Sequence, residues 1–224
     1  MMKKNKVFVA CDSINILKIK KIIKETQNKK LKIGYKFGLE FINSKNGRNF
    51  ISKLRNKIIF IDLKLHDIPN TISSTLNSLK DLRIDYLTVH ISSGFKALKK
   101  IKKISKKVKI VGVTTLTSLD NKDLTEIGYE KSLEDLIITQ CKLAKKANLD
   151  GIVCSVNEVK YIRKIFKKEI ITPGIRFDNK IHDQKRVSTP KRAFQNGSDW
   201  LVMGRSITKG NIKKNIQKLL NHLK

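Results

Sequence analysis

Residues 58–71 read IIFIDLKLHDIPNT. Four apolar, mostly β-branched residues lead into Asp62, Lys64 and Asp67, and after Ile68-Pro69 the spacing of apolar residues becomes helical. Side chains alternate along a strand, so Asp62 and Lys64 share one face and Leu63 and Leu65 the other. The segment therefore predicts a buried strand, with charges at its C-terminal end, that hands over to a helix. Strands apolar on both faces belong to parallel sheets covered by helices.

The same pattern recurs along the chain. Strand candidates are KVFVAC (6–11), IGYKF (33–37), IIFIDLK (58–64), YLTVH (86–90), KIVGVTTL (109–116), GIVCS (151–155), IITPGI (170–175) and WLVMG (200–204). Between and after them lie helix candidates near 14–29, 43–55, 70–82, 94–106, 132–148, 156–168, 190–197 and 210–223. Eight βα units in 224 residues close most economically into a (β/α)₈ TIM barrel, with an open doubly wound sheet as the alternative. No Pro/Gly/Ser-rich linker or low-complexity block interrupts the chain, so residues 1–224 read as one domain.

Composition narrows the function classes. No apolar run reaches the length of a membrane span and the N-terminus has no signal-peptide pattern, so a soluble, cytoplasmic protein with no membrane partner is expected. Cys11, Cys141 and Cys154 lack CxxC or Cys/His ligand spacing, which points to buried thiols rather than disulfides or a metal site. The net charge is +30, a value that by itself suggests a nucleic-acid partner. Its distribution argues otherwise. Lysines recur on the outer faces of several helix candidates, and arginine, the better bidentate phosphate reader, supplies only eight of the 49 basic residues.

In a TIM barrel the functional groups collect at the C-terminal ends of the strands. Those positions carry Asp12, Lys36, Asp62 with Lys64, His90, Thr117, Arg176 and Arg205. If Lys36 on the second strand joins Asp62, Lys64 and Asp67, an alternating Lys/Asp/Lys/Asp array forms at the mouth. Each charge offsets part of its neighbours' desolvation cost. Such an array can be a structural ion-pair network, but buried ions add little net stability, and a preorganised charge array in a mouth favours a functional site. TPGIR (172–176) and MGRSIT (203–208) bring Arg176, Gly204 and Arg205 to the ends of the last two strands, the usual phosphate grip of such barrels. The polar stretch 176–190 between them, which includes Gln184, suits a lid.

The stretches ACD (10–12), KFG (36–38), DLKLHDIPNT (62–71), TVH (88–90), LTS (116–118), TPGIR (172–176), DQKRVSTP (183–190) and GRSIT (204–208) together resemble the orotidine 5′-phosphate decarboxylase family, of the bacterial type. DxKxxDIPNT is the specific element; phosphate-binding barrels share the others more loosely. The resemblance implies that orotidine 5′-phosphate is decarboxylated to UMP, with Lys64 protonating C6 and Asp62 against the substrate carboxylate. It further implies a homodimer in which Asp67 and Thr71 come from the partner subunit. Lys36 and Asp12 would hold the ribose and the charge network, Thr117 would approach the pyrimidine, and Arg176, Gln184, Gly204 and Arg205 would hold the 5′-phosphate. No cofactor or metal is implied. Mg²⁺-dependent sugar-phosphate decarboxylases and aldolases of the same superfamily share DxKxxD, but they need an acidic residue on the second strand where this chain has Lys36. A basic nucleic-acid-binding barrel without activity is the remaining alternative, and it rests on charge alone.

Overall fold

The computed structural model describes residues 4–177 and 187–223. Its strands are β1 (Asn5–Ala10), β2 (Leu31–Gly38), β3 (Ile58–Leu65), β4 (Tyr86–His90), β5 (Lys109–Val113), β6 (Gly151–Val153), β7 (Glu169–Thr172) and β8 (Trp200–Met203). They pair in sequence order, all parallel, and β8 closes onto β1. This is the expected TIM barrel, and closure removes the open-sheet alternative.

The helices are α1 (Ile16–Glu25), α2 (Leu39–Ile42), α3 (Gly47–Ser52), α4 (Pro69–Ser78), α5 (Gly94–Ile104), α6 (Asn121–Glu126), α7 (Leu133–Lys146), α8 (Val156–Ile165), α9 (Pro190–Asn196), α10 (Arg205–Thr208) and α11 (Ile212–His222). Local chemistry sets several starts: Asn15 caps α1, Pro69 opens α4, and Ser155 with Glu158 forms a capping box on α8. None of the described helices is long and apolar enough to cross a membrane. The lysines of α5, Lys96, Lys99, Lys100 and Lys103, are exposed while Ala97, Leu98 and Ile101 are buried. The charge thus lies on outer helix faces, as the sequence pattern implied.

Several boundaries differ from the sequence reading. The single helix expected over 43–55 is two short ones, α2 and α3, with Asn43 ending the first and Asn46 preceding the second. β5 ends at Val113 rather than 116, and α6 occupies part of the loop that follows. β7 ends at Thr172 rather than running to 175: Gly174 adopts φ +74°, a left-handed turn open to glycine at low cost, and Ile175 makes only an isolated bridge to Ser188.

Alternation along the strands stacks the barrel interior in layers. Phe8, Phe60, Tyr86, Val111, Ile171 and Trp200 form one buried cluster, separate from the larger shell between strands and helices. Phe8 stacks on Trp200 with ring centroids 4.0 Å apart and meets Phe60 at 4.8 Å. A Cβ on Gly34 would approach the Phe8 ring to 2.6 Å, so only glycine fits opposite it. At the N-terminal end of the barrel, Glu169 accepts from Lys6 (3.4 Å), Lys109 (3.0 Å), Tyr86 Oη (3.0 Å) and Trp200 Nε1 (3.3 Å). Burial raises the Glu169 pKa, but Lys109, Tyr86 and Lys6 outweigh it and hold the carboxyl below its usual range. The three cysteines are buried thiols, as expected.

Glu169→Ala strips the acceptor from Tyr86 and Trp200 and leaves Lys6 and Lys109 without their carboxylate. It should lower unfolding free energy by about 3 kcal/mol. Denaturant titration checks this, and Glu169→Gln should lose less because it keeps an acceptor.

Candidate active site

The C-terminal mouth of the barrel holds a cavity of about 460 Å³. Its floor is apolar, from Ala10, Phe60, Val153 and Val202, continuous with the aromatic layer below. One side carries Asp12, Lys36, Asp62 and Lys64; the other carries Gly174, Arg176, Gly204, Arg205 and Ser206, with Thr117 also on the wall.

The charged side is a chain of ion pairs. Lys36 Nζ lies 3.1 Å from Asp12 Oδ1 and 3.6 Å from Asp62 Oδ2, and Lys64 Nζ lies 2.9 Å from the same Asp62 oxygen. The other Asp62 oxygen accepts from Thr88 Oγ1 at 3.0 Å. The Asp62 and Lys36 side chains are each only 12% exposed, against 38% for Lys64. Burial pushes the Asp62 pKa up, yet Lys36 and Lys64, with the bonds from Lys64 and Thr88, prevail and leave it below its ordinary value. For Lys36 burial acts to lower the pKa, and Asp62 and Asp12 prevail to raise it. Asp62 is thus held ionised and Lys36 protonated across the neutral range.

The outer acid of this array is not the Asp67 that spacing alone suggested but Asp12, which the family resemblance had placed in the charge network. Asp12 occupies the end of the chain, because β1 pairs with β2 in a register that sets Ala10 beside Lys36 and carries Asp12 just beyond it. Asp67 lies past the end of β3, exposed, with Oδ1 accepting from the Ile68 N–H at 2.7 Å. Among the described residues Asp67 makes no ion pair.

Lys64 is not on a regular strand. Its φ is +47°, and the pairing of β3 with β4 slips between Ile61 and Leu65. The Lys64 N–H leaves the ladder and donates to Thr88 Oγ1 at 2.8 Å, so the same hydroxyl positions the Lys64 backbone and the Asp62 carboxylate. A left-handed conformation costs a non-glycine residue about 1–2 kcal/mol, and this distortion aims Nζ into the cavity.

The opposite side is anchored where the polar stretch begins and ends. The Arg176 N–H donates to Ser188 O (2.9 Å) and the Ser188 N–H to Gly174 O (3.1 Å). The base of the expected lid is therefore a paired neck beside Arg176 and Arg205. Gln184 lies outside the described residues. Thr71 is exposed on α4 and, like Asp67, does not line the cavity. His90 packs 5.3 Å from His66, also off the cavity wall, and burial, with His66 and Lys64, holds its pKa below the usual value. Thr88 is the contributor that sequence reasoning did not single out. Its signal was the alternation of Tyr86, Thr88 and His90, which puts it on the inward face.

A carboxylate fixed between two ammonium groups, facing two guanidinium side chains across an apolar floor, suits an anionic ligand with a second negative group at its far end. A model of the family described as "Orotidine 5'-phosphate decarboxylase / HUMPS family" matches residues 5–218. The chain belongs to this family. Orotidine 5′-phosphate decarboxylase of Wolbachia pipientis subsp. Culex pipiens is 45% identical over 179 residues, 77% of this chain and 79% of that protein. The enzyme of that name from Bacillus mycoides is 39% identical over 188 residues, covering 78% and 79%. Among solved structures, the orotidine 5′-phosphate decarboxylase of Lactobacillus acidophilus superposes with a TM-score of 0.83 at 30% identity, over 98% of this chain and 99% of that one. An orotidine 5′-monophosphate decarboxylase from Methanocaldococcus jannaschii, solved with the inhibitor BMP, shares the fold with a TM-score of 0.78 at 23% identity, over 99% of each chain.

Lys64→Gly should be more stable than Lys64→Ala by about 1 kcal/mol, because glycine accepts the positive φ that alanine resists. Parallel denaturation of the two variants checks this, and equal stability would place the strain elsewhere.

Proposed function

We propose that this chain converts orotidine 5′-phosphate to UMP and CO₂ without a cofactor, as a single-domain enzyme of the cytoplasm. The observation that carries the reading is the Asp62 carboxylate held between Lys36 and Lys64 at one end of a cavity whose other end presents Arg176 and Arg205.

The two guanidinium groups, with Gly204 and Gln184, hold the 5′-phosphate, and Asp12 and Lys36 meet the ribose hydroxyls. Thr117 approaches the pyrimidine. The substrate carboxylate then faces Asp62, and C6 faces Lys64 Nζ. As the C6–carboxyl bond breaks, its electron pair stays on C6 and CO₂ leaves. The proton of Lys64 goes to C6, and Lys64 regains a proton from solvent. Negative charge develops on a carbon with no good route for delocalisation, so a fixed ammonium beside it supplies stabilisation that is stronger in the transition state than in the ground state. Asp62, which accepts from Lys64 Nζ at 2.9 Å, orients the ammonium before reaction. The remote phosphate supplies binding energy that orders the site.

Lys36 also bears on the metal-dependent alternative. Its ammonium stands between Asp12 and Asp62, the two carboxylates on this side of the cavity, and would repel Mg²⁺ there.

The partner in this reading is a second copy of the chain. Asp67 and Thr71 stand outside their own cavity, flanking Ile68, which is 64% exposed. An exposed isoleucine beside a polar pair that does not line its own cavity suits an interface that delivers both residues to a neighbouring cavity.

UMP formation from orotidine 5′-phosphate in metal-free buffer should be readily measured with the wild-type chain. Lys64→Ala should lower kcat by at least about 10³-fold, the scale of lost electrostatic and acid catalysis combined; near wild-type turnover would remove Lys64 as the proton donor. Mixing inactive Lys64→Ala with inactive Asp67→Ala should restore activity through mixed dimers that carry one intact site. Absence of recovery despite demonstrated subunit exchange would assign Asp67 to its own chain.

A further inference from the structure

A second cavity, of about 300 Å³, lies on the β1 side of the phosphate grip and shares Asp12, Gly204 and Arg205 with the larger one. Its remaining polar lining is Lys18 of α1 with Thr208 and Lys209 at the end of α10. Three cations thus face one carboxylate, and that carboxylate, Asp12, already accepts from Lys36 at 3.1 Å. Neither Lys18 nor Lys209 forms an ion pair among the described residues. Lys18 also stands in the first turn of α1, a turn with no acidic residue, where the helix dipole disfavours a cation. An anion bound in this cavity would relieve that repulsion. At about 30 Å³ per water molecule in the liquid, the cavity has room for roughly ten, enough for a phosphoryl group and its hydration.

The shared wall decides which anion fits. Arg205 borders both cavities, so a ligand with one phosphate on the Arg176–Arg205 side can extend a second one past Arg205 to Lys18 and Lys209. We infer that the small cavity is a second-phosphate subsite, through which nucleoside 5′-diphosphates bind across both cavities and compete with the monophosphate substrate. This rests on the decarboxylase reading for the identity of the base and ribose, and it gives that site a means of sensing more highly phosphorylated pyrimidine nucleotides. A general attraction of the +30 chain for anions would favour a diphosphate everywhere on the surface; the subsite ties the preference to two named lysines.

The test is the ratio of inhibition constants of UMP and UDP against orotidine 5′-phosphate decarboxylation, at fixed ionic strength and without divalent metal. UDP should bind at least about tenfold more tightly than UMP to the wild-type chain, each competitively, which corresponds to about 1.4 kcal/mol. Lys18→Met with Lys209→Met should bring the ratio to within about twofold of one, and each single variant should move it part of the way. A control pair, Lys99→Met with Lys103→Met on the exposed face of α5, should leave the ratio as in wild type. UDP binding no tighter than UMP, a ratio that survives the Lys18/Lys209 pair, or an equal fall in the α5 pair would each overturn the subsite. If the chain does not decarboxylate orotidine 5′-phosphate, the reading of function fails, while calorimetric dissociation constants for UMP and UDP still test the subsite by the same ratio.

Discussion

Asp62 is a carboxylate taken largely out of water and held there by two ammonium groups that share one of its oxygens. Left alone in that position it would take up a proton, since desolvation penalises the charged form by several kcal/mol. Lys36 and Lys64 reverse that preference, Thr88 saturates the second oxygen, and Asp12 balances the surplus positive charge of Lys36. The mouth of the barrel is consequently a single electrostatic unit, in which Asp62 and Lys36 owe their charge states to the groups around them.

The layers beneath explain why this unit holds its geometry. Phe8, Phe60, Tyr86 and Trp200 fill the barrel just below it, so water does not reach the network from underneath and its charges interact through a poorly screening medium. The opposite end of the barrel is closed by a mirror arrangement, one carboxylate, Glu169, receiving bonds from two lysines and two aromatic donors. The two carboxylates differ in what surrounds them. Glu169 is saturated by side chains of the barrel itself, which suits a closure. Asp62 borders an open cavity through Lys64, whose side chain is the most solvent-accessible of the central three. Saturation at one end and access at the other separate a structural charge cluster from one available for chemistry.

The backbone contributes as well. A regular strand would send Lys64 inward on alternation alone, but it would leave the pairing of β3 and β4 unbroken. The slipped register and positive φ show that alternation is not the whole means by which Nζ reaches Asp62. The strain is tolerated because the displaced N–H finds Thr88 Oγ1, so no buried donor is left without an acceptor. Similar economy appears at Gly174, where a left-handed turn ends β7 early and brings Arg176 to the neck opposite Ser188.

By itself the sequence determined the barrel and much of its mouth. Eight apolar strand segments separated by helical spacing leave few other ways to bury both faces, and polar residues at the strand ends have one rim on which to collect. Period-two alternation put Asp62 and Lys64 together, and their pairing with Lys36 followed from adjacent strands. Tertiary structure decided what depends on neighbours distant in the chain. Spacing alone offered Asp67 as the outer acid of the array, and the pairing of β1 with β2 gives that place to Asp12, as the family resemblance implied. Thr88 serves both Asp62 and Lys64 because β4 lies beside β3 across a slipped pairing that no local residue pattern announces. Local sequence governs which face a side chain takes; only the closed sheet decides which other side chains stand within hydrogen-bonding distance of it.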